Sequence, residues 1–139
     1  MSTYPASRRD IYRESAILTA SPEKLVVMLY DGARRFLYQA AVAMRNSDVE
    51  TSHVKLRRAE AIIVHLRNTL DMEQGEVPAQ LQAIYLFCNR HLNEARVQRE
   101  PEKIEQVSQL LGELRDAWNA IGTNTSGPDP IGTGSIGSV

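Results

Sequence analysis

An all-α fold, an antiparallel up-down four-helix bundle carrying a short N-terminal segment or helix and a disordered C-terminal tail, is predicted by three features of the sequence. Apolar residues recur at helical spacing through four consecutive stretches. The stretches are similar in length and are divided by short breaks that carry proline, glycine or an Asn-Ser-Asp turn. No segment shows the strict alternation of a half-buried strand.

Residues 1–18 are expected to form an N-terminal cap segment, a frayed terminus being the alternative. Arg8, Arg9 and Arg13 alternate there with Tyr4, Ile11, Tyr12, Ile17 and Leu18, too much apolar surface to leave in water. The bundle domain is expected over residues 19–121. Ser21 is a good N-cap, and Pro22 suits the first helical position, where its missing N–H costs nothing. The first helix then runs to about Arg45. Leu25, Leu29, Gly32, Phe36, Ala40 and Ala43 make one apolar face, and Val26, Tyr30, Ala33, Leu37 and Met44 make a second about a quarter turn away. An arc that wide exceeds the stripe of a surface helix, so this helix is expected to be packed on two sides.

Asn46, Ser47 and Asp48 make a tight turn, and Asp48 caps a second helix reaching roughly Leu70. Its core face is Leu56, Ala59, Ile63, Leu66 and Leu70, with Ile62 beside it. A loop through Gly75 ends at Pro78, which starts the third helix. Leu81, Ile84, Tyr85, Cys88, Leu92 and Ala95 share one face, while Ala83, Leu86, Phe87 and Val97 fall on another. Pro101 breaks the chain again. The fourth helix carries Ile104, Val107, Leu111, Leu114, Trp118 and Ile121 on a single stripe. From Gly122 to Val139 the chain is rich in glycine, serine, threonine and proline; such a tail buries too little to offset its ordering entropy and is expected to be disordered.

Composition excludes several classes of function. The 139 residues include 16 basic and 17 acidic side chains and are 42% hydrophobic, which points to no polyanionic or membrane-surface partner. No stretch approaches a transmembrane length, the N-terminus has no signal-peptide apolar core, and the lone Cys88 fits a reducing compartment. Cytosol is the expected location. A bundle enzyme would hold metal ligands in its core, as glutamates and Glu-x-x-His pairs. The predicted core faces hold no carboxylate. His53 and His65 fall off the apolar stripe, and His91 lies at its edge. Cys88 reads as a small buried hydrophobe, and Lys55, Arg57 and Arg58 as a solvated helix face. No catalytic residue, metal or cofactor is expected.

What remains is surplus apolar surface on the first and third helices. Burying one large apolar side chain is worth roughly 1.5–3 kcal/mol, so leaving Val26, Tyr30, Leu37, Leu86 and Phe87 in water forgoes several such terms. The N-terminal segment, a second copy, or a partner helix in a groove would cover them.

Tyr12 lies seven positions before Thr19-Ala20-Ser21-Pro22-Glu23, followed by Leu29-Tyr30-Asp31-Gly32 and Phe36. Leu56, Ala59, Ile62, Ile63, Leu70, Leu81, Tyr85 and Leu92 come next, and then Leu114-Arg115-Asp116-Ala117-Trp118. In order and spacing this pattern, from residue 4 to about 121, resembles the flagellin-specific secretion chaperone family FliS. The chain departs from the family at Leu86-Phe87-Cys88, often Asp-Tyr-Met, and at Gly75 to Ala79, often Gly-Gly-Glu-Ile-Ala. The resemblance implies a cytosolic chaperone that binds the disordered C-terminal region of flagellin, prevents premature polymerisation and assists export, in contact with the export apparatus. It implies that Ile11 and Tyr12 lie over part of the client surface, whose candidate residues are Val26, Tyr30, Leu37, Ala83, Leu86 and Phe87. A monomer is expected, with weak homodimerisation the alternative state. Two other classes stay open: a structural homo-oligomer without a flagellin client, and a ferritin-like enzyme, against which the carboxylate-free core argues.

Overall fold

The computed structural model describes residues 20–126, and side chains as far as Ile121. Expectations for the N-terminal cap, including Ile11 and Tyr12, and for residues 127–139 lie outside them. The described residues form four helices and no strand: α1 (Pro22–Arg45), α2 (Val49–Asn68), α3 (Glu76–Gln98) and α4 (Pro101–Ser126). They pack as a bundle in which α1 lies between α2 and α4, and α3 closes the bundle diagonally opposite.

Local chemistry sets the helix ends. Ser21 Oγ accepts the Lys24 N–H at 3.2 Å, with Pro22 opening α1. Asp48 Oδ1 accepts the Thr51 N–H at 3.1 Å and caps α2. That hydrogen bond also holds the Asp48 carboxyl below its ordinary pKa. Helix α3 starts at Glu76, two residues before Pro78, because Gly75 reaches a φ of 100° that few L side chains adopt. Arg99 ends α3 in the left-handed region, with φ 59° and ψ 54°. Helix α4 continues through Ser126, past the expected end at Ile121, so the tail boundary at Gly122 falls inside the helix.

The core agrees with expectation for three helices. Leu56, Ala59, Ile63 and Leu66 of α2 are buried, as are Leu81, Tyr85, Cys88, Leu92 and Ala95 of α3 and Ile104, Val107 and Leu111 of α4. Leu114 and Trp118 pack partly buried against them, and Ile121 is exposed. Helix α1 buries its second expected face together with Ala40 and Ala43 of the first. Tyr30, Ala33 and Leu37 point into the core with Val27, Ala40 and Ala41, while Leu29 and Phe36 lie partly buried on the flank and Leu25 is exposed. Two apolar stripes do reflect packing on two sides, but the inner one is set by the diagonal helix α3.

Two glycines mark different situations. At Gly112 an added Cβ would stand 2.8 Å from the Arg34 guanidinium carbon, so α1 lays its arginine directly over α4. At Gly32 an added Cβ would meet Ile62 Cδ1 at 3.6 Å, an ordinary contact. Close packing therefore does not require glycine at Gly32, although a mid-helix glycine costs about 1 kcal/mol against alanine.

Candidate functional site

The candidate residues separate into two sets. Tyr30 and Leu37 are fully buried, so both are corrected from client groove to core. Tyr30 and Tyr85 share a hydrogen bond between their hydroxyls, joining the diagonal helices α1 and α3 in the bundle centre. Burial raises the pKa of both phenols. It also pushes the neighbouring Cys88 thiol up to about 12, which keeps it protonated and unreactive. Val26 packs partly buried against the same core.

Ala83, Leu86 and Phe87 form the second set, on the outer face of α3. Ala83 is exposed, and Leu86 and Phe87 keep 41% and 42% of their surface in water. Residues three to four apart share a helix face, so Ala83 sits one turn from both. Leu86 and Phe87 are about 100° apart around the helix and diverge. Phe87 stacks on His91, ring centres 5.0 Å apart, and His91 is tied to Gln106 of α4 by a 2.7 Å hydrogen bond. The Phe87 ring is thus oriented before anything binds, which lowers the ordering cost of a contact.

A surface that periodicity did not assign lies along the α1–α4 seam. A groove of about 520 Å³ runs between Arg34, Tyr38, Val42 and Arg45 on one side and Glu105, Ser108, Gly112 and Asp116 on the other. Tyr38 is 71% exposed and Val42 41%. The i, i+4 spacing of Arg34, Tyr38 and Val42 was the available signal, a third stripe on a helix already crowded with two. Asp31 and Arg115 pair at 2.9 Å beyond one end of the groove, and Arg45 pairs with Glu105 at the other.

Among the described residues no group of three or more His, Cys, Asp or Glu side chains could hold a metal ion. No described helix is long and apolar enough to cross a membrane. The surfaces can bind another chain through apolar contact and shape.

Comparison with known proteins agrees with that arrangement. The sequence profile of the family described as flagellar protein FliS matches residues 4–125. The flagellar secretion chaperone FliS of Campylobacter jejuni is 35% identical over 116 residues, covering 83% of this chain and 91% of that protein. FliS of Salmonella typhimurium is 35% identical over 115 residues, covering 81% and 85%. FliS of Bacillus subtilis is 31% identical over 125 residues, covering 90% and 92%. A crystal structure of a bacterial flagellar chaperone superposes with a TM-score of 0.70 at 17% identity, covering 85% of this chain and 99% of that one, which supports the fold. A four-helix bundle with outward apolar faces, matched along most of its length by these relatives, belongs to the FliS family of flagellar secretion chaperones.

Proposed function

We propose that this chaperone binds the disordered C-terminal region of flagellin in the cytosol, keeps it from polymerising prematurely, and presents it to the flagellar export apparatus. The observation that carries this reading is the outer face of α3, where Ala83, Leu86 and Phe87 stay in water on a bundle whose interior is otherwise filled. Apolar side chains held outward on a helix suit an amphipathic helix that forms as it docks. Ordering the client costs about 2–5 kcal/mol, offset by burying on the order of 1,000–3,000 Å². The chaperone acts as a monomer, and residues 1–18, through Ile11 and Tyr12, compete for part of the client surface.

Titrating a flagellin C-terminal peptide into the purified protein by calorimetry tests the reading. Saturable one-to-one binding is expected. Leu86→Asp and Phe87→Asp should weaken it while helicity stays unchanged, because neither side chain supports the core. An absence of binding to the unmodified protein sinks the flagellin reading. If both variants unfold, then the outer face of α3 is structural. Light scattering of the client-free protein separates the monomer from a homo-oligomer that covers the stripe with itself.

A further inference from the structure

A smaller cavity lies at the end of the bundle where α1 turns into α2 and α3 gives way to α4. It measures about 120 Å³ and is lined by Met44, Val49, Ser52 and His53 on one side and by Arg96 and Arg99 on the other. No carboxylate lines it. Apart from the two tyrosines, Ser52 is the one polar side chain buried among the described residues, 5% exposed, and it is buried against this cavity. Its hydroxyl can donate or accept there.

The two arginines supply charge that is only partly met within the bundle. Arg96 donates from Nη2 to Glu60 at 2.8 Å and from Nη1 to Asn93 at 3.1 Å. Its Nε is buried and, among the described residues, has no hydrogen-bond partner. A buried donor of that kind calls for an acceptor. Arg99 is exposed and, among the described residues, forms no ion pair; the next carboxylate in sequence, Glu100, is paired with Lys103 at 3.2 Å. Arg99 also holds a left-handed conformation, φ 59°, in which glycine would be less strained. Its guanidinium therefore stands at the mouth of this cavity at some cost to the fold.

We propose that this cavity captures the C-terminus of a bound chain, with the last side chain inside and the terminal carboxylate held by Arg96, Arg99 and Ser52. The inference rests on the client-binding reading above, in which the bound region of the client ends in a free carboxylate. Size limits what enters: about 120 Å³ has room for about four water-sized groups, which matches the four carbons of a leucine side chain. Met44 and Val49 give such a group an apolar wall. Charge selects an anion, and a planar guanidinium matches a carboxylate with two parallel hydrogen bonds. Free phosphate suits the site less, because it brings no apolar body to meet that wall.

The test uses the full chain and two pairs of probes, each made with a free carboxylate and with an amide at its C-terminus. One pair is the flagellin C-terminal peptide labelled at its N-terminus and read by fluorescence anisotropy. The other is acetyl-Gly-Gly-Leu, read by shifts of the Ser52 and Arg99 amide signals in NMR titrations. The free acid should bind more tightly than the amide by about tenfold in both pairs. Arg99→Gly and Ser52→Ala should each shrink that ratio toward one while circular dichroism stays unchanged. Leu86→Asp should weaken both forms of the flagellin peptide and leave their ratio as it was. Equal binding of acid and amide overturns the proposal and leaves the client reading intact, and so does a ratio that both cavity variants preserve. Binding of 3-methylbutanoate as tight as that of the tripeptide acid also overturns it, since the site would then serve a free small acid. If neither form of the flagellin peptide binds, the client reading fails, and the tripeptide pair alone decides whether the cavity takes a chain end.

Discussion

Tyr30 and Tyr85 place two hydroxyls at the centre of a core made otherwise of aliphatic side chains, alanine and Cys88, with Phe36 and Trp118 packed at its edge. A buried hydroxyl is tolerable when paired and expensive when orphaned. Tyr30→Phe or Tyr85→Phe alone should therefore destabilise the bundle by about 1–3 kcal/mol, whereas the double change should fall well short of the sum. Urea midpoints of the four proteins measure this, and strict additivity would mean that neither hydroxyl depends on the other. The pair also sets an alkaline limit. Both phenols have folded pKa values raised above the ordinary 10, so their protection of the fold is whole below that pH and is lost as pH rises above it. The double Phe protein should show a flatter alkaline stability profile. Helical spacing put Tyr85 in the core, but placed Tyr30 on the client stripe. Two phenols on diagonal helices share a bond only through tertiary geometry, which periodicity does not carry.

Helix α1 shows what periodicity does and does not settle for an element. Its apolar arc was wide enough to reveal two packed sides, and α2 and α4 occupy them. Which stripe faces the axis depends on where α3 sits, and nothing within the α1 segment encodes that position. Small buried residues, Ala33, Ala40, Ala41 and Ala43, let the neighbours approach α1 closely and leave the larger Leu29 and Phe36 at the rim. Arg99 is a second place where an element shows its chemistry. It closes α3 with a φ of 59°, a conformation in which its Cβ crowds the backbone. Arg99→Gly should stabilise the protein by about 1 kcal/mol, net of the extra freedom glycine brings to the unfolded chain. A thermal midpoint higher by roughly 3–6 °C is the expected readout. A lower midpoint would mean that the Arg99 side chain contributes more than the backbone strain removes.

At the scale of the molecule, the four-helix architecture was legible because every helix combines a clear apolar stripe with a proline, glycine or Asp break. The binding surfaces were legible only in part. Leu86 and Phe87 lie off the core as their spacing implied, while the groove of Tyr38 and Val42 emerges only when neighbouring helices are placed side by side. On the client-binding reading proposed above, Ile11 and Tyr12 compete with the client for part of its surface. The apparent dissociation constant of such a client is the intrinsic one divided by the open fraction. A segment closed about nine-tenths of the time weakens binding about tenfold, or about 1.4 kcal/mol. Deleting residues 1 to 14 should therefore tighten binding of the flagellin C-terminal peptide and make the client-free protein more prone to self-association. The opposite arrangement, with Tyr12 part of the client site, loosens the complex on deletion. Calorimetric titration of the full and shortened chains distinguishes the two, and weaker binding by the shortened chain would rule out competition.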